Sequence, residues 1–415
     1  MVIFTKSRLI EFALLFFVLL FGNVFHIIPK NFTIAFLTSA DAYLLLFSVF
    51  IFVVYLGISD KKGKWQFGFS FLYLIVSLFV ATYQSYNISG QSLILGIRAQ
   101  REFLILLLSY FPLRKIVEYY EVDFENLLEN LLRLGAFSTL FFMSQKLLYF
   151  ATGSNFIDVA VNYSGTFSPY RMYVESSLID LMMLIAVYRY MELGRFKYLL
   201  VYGLGLASQI WISQGRLELL SILAGSVLGV FLGGQVGLRK ILVLFTLLFI
   251  SVPVYFSSNF QSFFELLIGK SGGDTLTIRN IGRLLYDQQL NVNWSTFIFG
   301  TGYPNMQYEP SIYRTGLDKM IFLSDNGIYA FRYIYGTLAL LVILYIVVKA
   351  FYLGWNVYRK KGNPIFLMYF LMISVMGQNI IFWYWHNDAM LLLLIMVVFL
   401  EYEIEKVRNE EELGY

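Results

Sequence analysis

The feature that most limits this chain is a recurrence of apolar runs, each about as long as the hydrocarbon core of a bilayer is thick. A helix needs roughly 20 mainly apolar residues to cross that core. In lipid its backbone polar groups must be satisfied internally, which leaves helices and closed barrels as the crossing structures. Such runs fall near Leu9–Ile28, Ala35–Ile58, Phe67–Tyr86, Leu93–Leu113 and Leu134–Ala151, and they continue to the far end of the chain. Hydrophobic residues make up 58% of the sequence and charged ones 14%, against roughly 25% charged in soluble domains. The pattern predicts an all-α polytopic membrane protein, one integral membrane domain over residues 1–415.

Basic turns orient the spans, because cytoplasmic loops collect Lys and Arg. Lys6 and Arg8, then Lys61, Lys62 and Lys64, Arg195 and Lys197, Arg239 and Lys240, and the run Arg359–Lys361 recur at alternate turns. This predicts about twelve transmembrane helices with both termini cytoplasmic. The basic N-terminus leads into an apolar run without a small-residue cleavage site, so it reads as an uncleaved first span. Residues 114–132 place Ile116, Tyr120, Phe124, Leu127 and Leu131 at helical spacing, with Lys115, Glu118, Glu125 and Glu129 on the other side. That predicts an interfacial helix on the cytoplasmic face. Arg98, Arg101 and Glu102 interrupt the fourth run. A basic residue at a span centre costs roughly 3 kcal/mol, so these side chains either snorkel to the outer interface or face a polar cavity.

Several function classes drop out. The sequence has no cysteine and two histidines, His26 and His386, which excludes disulfides, thiolate chemistry and multi-histidine or cysteine metal sites. No cofactor is expected. A formal net charge of +4 is too small to point to nucleic acid.

The polar interest concentrates in residues 257–326, expected as one large extracytoplasmic loop. An apolar stripe of Phe260, Phe263, Phe264 and Leu267 suits a helix on the outer leaflet. Gly269–Lys270–Ser271 is not a phosphate loop, because Phe264 stands where the first glycine of that motif is required. A helix capped by Asp274 or Thr275 follows, with Ile278, Ile281 and Leu285 on its packed side. Arg279 and Arg283 share the other face, four residues apart. They read either as a solvated helix face carrying an Arg283–Asp287 pair or as an anion clamp. Gly300 and Gly302 mark a turn or a close backbone approach. Asp325 and Asn326 open the tenth span, as a helix cap or, for Asp325, as a general base. Arg98, Arg171, Arg216, Arg279, Arg283 and Arg314 all fall on or near the outer side, where basic residues should be scarce. Guanidinium groups suit bidentate phosphate recognition.

The run WISQGRLELL, from Trp211 to Leu220, resembles the signature between paired short helices of the bacterial O-antigen ligase and polysaccharide polymerase (Wzy-like) superfamily. The later arginine, helix and Gly-x-Gly pattern, from Arg279 to Asn305, and the SDNG segment opening the next span are similar to that family's following motifs. The resemblance covers the chain from Tyr163 onward. It implies a GT-C-like, metal-independent, inverting glycosyltransferase of the bacterial cytoplasmic membrane. Its donor and acceptor would be undecaprenyl-diphosphate-linked glycans on the outer side, as in capsule, exopolysaccharide or O-antigen synthesis. By motif position Arg216 and Arg279 or Arg283 would hold the diphosphate, with Arg171 a further ligand and Asp325 the base. A chain-length regulator is a partner the resemblance implies. The ligases carry a histidine in the closing motif where this chain has SDNG, which favours a polymerase over a ligase.

Overall fold

Long apolar runs satisfy their own backbone as helices, and the computed structural model is helical almost throughout, the helix Leu93–Tyr119 continuing even through Pro112. It describes residues 6–22, 39–59, 64–155, 159, 161–162, 170–174, 176–233, 237, 239–243, 274–377 and 387–412. In chain order these hold α1 (Lys6–Phe21), α2 (Ser39–Leu56), α3 (Gly68–Ser89), α4 (Leu93–Tyr119) and α5 (Phe124–Thr152). A two-residue antiparallel bridge follows, β1 (Val161–Asn162) with β2 (Arg171–Met172). Next come α6 (Ser177–Leu193), α7 (Phe196–Ser208) with a π turn (Gln209–Ser213), and α8 (Arg216–Leu232). The second half holds α9 (Asp274–Leu290), α10 (Trp294–Phe299), α11 (Glu309–Thr315), α12 (Gly327–Lys361), α13 (Ile365–Met376) and α14 (Asn387–Glu412). The expected all-α class is therefore found. Most of the ninth span, the stripe Phe260–Leu267, the Gly269–Ser271 run, the Asp274 and Thr275 side chains, His26 and His386 lie outside the described residues.

Among the described residues two helical stretches are long and apolar enough to cross a membrane, Gly68–Ser89 and Leu323–Lys361. Ala42–Leu56, Leu217–Leu232 and Ile365–Met376 are shorter apolar helices. Outward faces are apolar as well. On α2, Leu45, Leu46, Val49, Phe52, Val53 and Leu56 are exposed, and on α3 Phe69, Leu72, Val76, Phe79 and Tyr83. Three- and four-residue spacing puts each set on one helix face, and stripes of this kind mark surfaces that contact a partner or a membrane. Inside, α6 is buried over every residue from Leu178 to Tyr188, and α14 over Leu391 and Leu392 and again from Leu394 to Leu400.

The helices alternate in direction, so their charged ends gather at one end of the bundle. Fully buried Arg114 meets Glu118 at 3.3 Å, Glu401 at 3.4 Å and Glu405. Glu401 also accepts from the Tyr110 hydroxyl at 2.5 Å and the Phe67 amide at 2.6 Å. A buried guanidinium is tolerated when carboxylates and hydrogen bonds surround it, and breaking such a set costs roughly 3–5 kcal/mol. Arg189–Glu125 at 2.7 Å and Lys361–Glu403 at 2.8 Å lie at the same end.

The single helix expected over 114–132 is instead a corner. Helix α4 ends at Tyr119, Glu121 takes a left-handed φ of 49°, and Asp123 caps α5 by accepting from the Glu125 and Asn126 amides. The apolar residues assigned to one stripe still turn inward, since Ile116, Phe124, Leu127 and Leu131 are all buried. A cap competes locally with helix continuation, and the core accepts apolar residues from both arms. Within the expected loop 257–326, the described part is also folded, into α9, α10, α11 and two short 3-10 turns.

At the opposite end, Gly300 and Gly336 hold the second half together. Gly336 leaves helical geometry (φ 85°, ψ 174°) and kinks α12. The kink frees the Tyr333 and Ile334 carbonyls, which accept from the Thr301 amide at 2.8 Å and the Gly302 amide at 3.1 Å. A Cβ on Gly336 would lie 2.0 Å from the Ile298 carbonyl oxygen, and one on Gly300 2.2 Å from that of Ile334. The glycine turn is thus a close backbone approach. The Tyr303 carbonyl then accepts from Ser85 Oγ at 2.8 Å and Gln91 Nε2 at 3.0 Å, which ties the turn to α3 and the α3–α4 corner. We predict that Gly336→Ala lowers stability by about 2–4 kcal/mol. Gly203→Ala, where a Cβ meets nothing within 4 Å, should leave it unchanged or slightly raised. Thermal unfolding in detergent checks both, and equal Tm values for the two variants would refute the account.

Candidate functional site

Two polar groups form away from the Arg114 end of the bundle. The first lies where α9 meets the start of α12. The amphipathic α9 buries Tyr286 and Leu290 and packs Ile278 and Leu285 against the core. Ile281, expected on the packed side, is 49% exposed and lies outward with Leu284. Gly282 takes the contact instead, where a Cβ would stand 2.7 Å from Ile321. The close seating of α9 on Ile321 and Asn326 therefore decides which face is inside.

That seating brings Arg279 to 3.9 Å from Asp325, both partly exposed. Arg279 Nε is buried with no hydrogen-bond partner among the described residues. Arg283 lies over the Tyr329 ring, 4.6 Å from its centroid, a cation–π geometry. The expected alternative, an Arg283–Asp287 pair, gives way to an Arg332–Asp287 pair at 3.2 Å. Arg332 reaches across because it sits on α12 one turn past Ile328, facing α9. Asp325 belongs to a 3-10 turn (Leu323–Asn326), and Asn326 holds the cap position of α12 without a capping side-chain bond. The Asn326 amide donates to the Phe322 carbonyl at 2.9 Å instead.

Arg314, counted among the outer arginines, has a structural task. It donates to the Thr301 carbonyl at 3.0 Å and approaches Ser85 Oγ and the Gly302 carbonyl at 3.4 Å. It therefore belongs to the glycine turn.

The second group surrounds the π turn. The expected polar break at Trp211–Leu220 is real: α7 widens into a π turn, Gln214 takes a left-handed φ of 53°, and α8 begins at Arg216. A buried polar platform shapes it. Gln209 Nε2 donates to Asp180 and, at 3.3 Å, to Glu218. Ser213 Oγ donates to Gln209 Oε1 and, at 3.3 Å, to Glu218. Ser176 Oγ donates to the same carboxylate. Arg171, on β2, lies over Tyr173 at 4.7 Å, and its Nε is buried with no hydrogen-bond partner among the described residues. The side chains of Arg216 and Glu175 lie outside the described residues.

The two groups stand on different elements, and a short chain of contacts connects them. Helices α8 and α13 pack antiparallel: Ser221 Oγ is 3.8 Å from Met376 Sδ, and a Cβ on Gly229 would meet Met368. Just beyond Met376, the Gly377 carbonyl accepts from the Ile328 amide at 3.1 Å, two residues after Asn326. Arg216 is five residues before Ser221, roughly 8 Å along the helix axis. The start of α8 and the SDNG segment therefore occupy the same end of the bundle.

Sequence reasoning missed Tyr329 and Lys146. Nothing in spacing links Tyr329 to Arg283, which are 46 positions apart in the chain. Lys146 did carry a signal, a lone cation inside an apolar run.

No family model matches this chain, and no curated protein matches it.

The Arg279–Asp325 contact is long and partly solvated, and pairs of that kind contribute under about 1 kcal/mol. Asp325→Asn should accordingly change stability by less than that amount. Thermal unfolding tests it, and a larger loss would make Asp325 a structural residue.

Proposed function

We propose that the chain is a polytopic enzyme of a bacterial cytoplasmic membrane that joins undecaprenyl-diphosphate-linked oligosaccharide repeats into a polysaccharide. In this reading about twelve helices cross the bilayer, both termini are cytoplasmic, and the Arg279–Asp325 end faces outward. The alternating helix directions, the basic residues gathered at the Arg114 end, and the apolar outward faces of α2 and α3 support it. The observation that carries the chemistry is the cluster of Arg279, Arg283 and one carboxylate, Asp325, at the mouth of the membrane-length helix α12.

Diphosphate is the leaving group, so charge grows on it as the glycosidic bond breaks. Two guanidinium groups four residues apart on α9 stabilise that charge, with Arg216 and Arg171 contributing from the π-turn side. Asp325, in contact with Arg279, accepts the proton of the attacking sugar hydroxyl. The donor carries its own activation, and inversion follows from direct attack at the anomeric carbon. A ligase using a different acceptor would share every one of these parts, and the SDNG segment, without a histidine, favours the polymerase.

Purified protein reconstituted with a matched lipid-linked repeat should give laddered products. Arg279→Ala and Arg283→Ala should each lower the rate by roughly 100-fold or more while the protein still inserts and folds. Absence of a ladder with any matched repeat, together with measurable transbilayer movement of the lipid, would replace this reading with a lipid-linked oligosaccharide transporter. Full activity in both arginine variants would remove their diphosphate role.

A further inference from the structure

Lys146 is out of place by composition. It sits seven residues before Gly153, which caps the end of α5, in the run Phe141–Phe150, and is fully buried. A lysine at such a position costs roughly 3 kcal/mol on insertion scales, so its surroundings have to return that energy. Its ammonium donates to the Tyr170 carbonyl at 2.6 Å and to the Trp211 carbonyl. Aromatic rings flank it: Nζ is 5.3 Å from the Trp211 ring centroid and 5.8 Å from that of Phe150. Those two rings are nearly parallel, 8° apart. The Tyr170 ring closes the cage edge-on against Phe150 at 5.2 Å.

The two carbonyls have separate origins. Trp211 lies in the last turn of the π segment, whose final carbonyls have no partner further along the helix. A cation there also meets the negative end of the helix dipole. Tyr170 immediately precedes Arg171 on the short strand. Gln214 spans the same gap, with Nε2 2.9 Å from the Tyr170 carbonyl and 3.4 Å from that of Trp211. Arg216 begins α8 two residues later. One buried ammonium and one amide thus join the segment bearing Arg171 to the segment leading into Arg216.

We propose that Lys146, assisted by Gln214, is a positioning residue that sets the separation of Arg171 and Arg216 and so shapes the π-turn half of the diphosphate site. The inference rests on the polymerase reading for its catalytic consequence, while the clamp itself is a matter of geometry. Charge develops on the diphosphate as the bond breaks, so misplacing its ligands lowers kcat more than it raises KM. A displacement of about 1 Å is enough for a loss of roughly 100-fold.

The test uses the full chain in liposomes, as wild type, Lys146→Met, Lys146→Arg and Gln214→Asn. Methionine keeps the length and removes the charge. Arginine keeps cationic donors. Asparagine keeps the left-handed backbone at 214 and shortens the arm. Because the natural sequence has no cysteine, spin labels at Tyr173→Cys and Leu220→Cys report the distance between the two segments directly. We expect the distance distribution to broaden in Lys146→Met, to broaden less in Gln214→Asn, and to narrow again in Lys146→Arg. With a matched lipid-linked repeat, kcat should fall roughly 10- to 100-fold in Lys146→Met with KM changed far less, and Lys146→Arg should recover much of it. An unchanged distribution in Lys146→Met, or in Gln214→Asn if the methionine variant does not fold, overturns the clamp. Equal kcat per folded molecule in wild type and Lys146→Met overturns the catalytic consequence. A wild type that makes no ladder removes the polymerase reading, and the distance measurement still decides the clamp.

Discussion

The second half of this protein depends on two glycines that touch. Gly336 breaks α12 and exposes two carbonyls, and the turn at Gly300–Gly302 supplies the amides that fill them. Neither partner is stable in that conformation alone: a kinked helix with bare carbonyls is costly where water is scarce, and an isolated turn has nothing to hold its amides. Once joined, the turn is held by Arg314 and by the Ser85 and Gln91 side chains, so α3, α4, α11 and α12 share one junction. Helix α9 rests on that junction through Tyr286, whose ring stacks on Tyr333 at 4.5 Å. The positions of Arg279 and Arg283 follow from it.

Buried cations mark the two ends of the bundle, and their partners differ with their tasks. Arg114 is enclosed by carboxylates from α4 and α14 and locks helices whose separation is fixed. Lys146 donates to two carbonyls beside aromatic rings, and it joins a strand to a turn. Carbonyls hold a cation more weakly than carboxylates do, which suits a contact that locates a loop. The arginines proposed for substrate differ again. Arg171 lies over the Tyr173 ring and Arg283 over that of Tyr329, and Arg279 meets its carboxylate only at 3.9 Å. Guanidinium groups held by rings or by a long ion pair suit a site that an anion completes.

Helices α1 to α8 and α12 to α14 were legible as apolar runs, because a sustained apolar run leaves few alternatives to a helix that satisfies its own backbone. The break before Arg216 was legible from Gln214 and Gly215. What could not be read was every choice that rests on a partner far along the chain. Ile281 looked inward by spacing, yet α9 turns it out because Gly282 allows Ile321 to come close. Asp287 sits one turn from Arg283 and still pairs with Arg332, because α12 runs beside that face. Local spacing assigns faces only when one neighbour is assumed; α9 has two.

The amino-acid sequence by itself determined that the chain is helical, where its apolar stretches lie, and that arginines punctuate them. These follow from side-chain transfer energies and backbone hydrogen bonding, both local properties of the chain. Only the tertiary structure decided that Asp325 belongs to Arg279, that Arg314 holds the glycine turn, and that Lys146 joins the strand of Arg171 to the turn before Arg216. Those outcomes depend on backbone groups left open at a kink, a π turn and a strand end. Which distant side chain fills an open carbonyl is settled by packing across the fold.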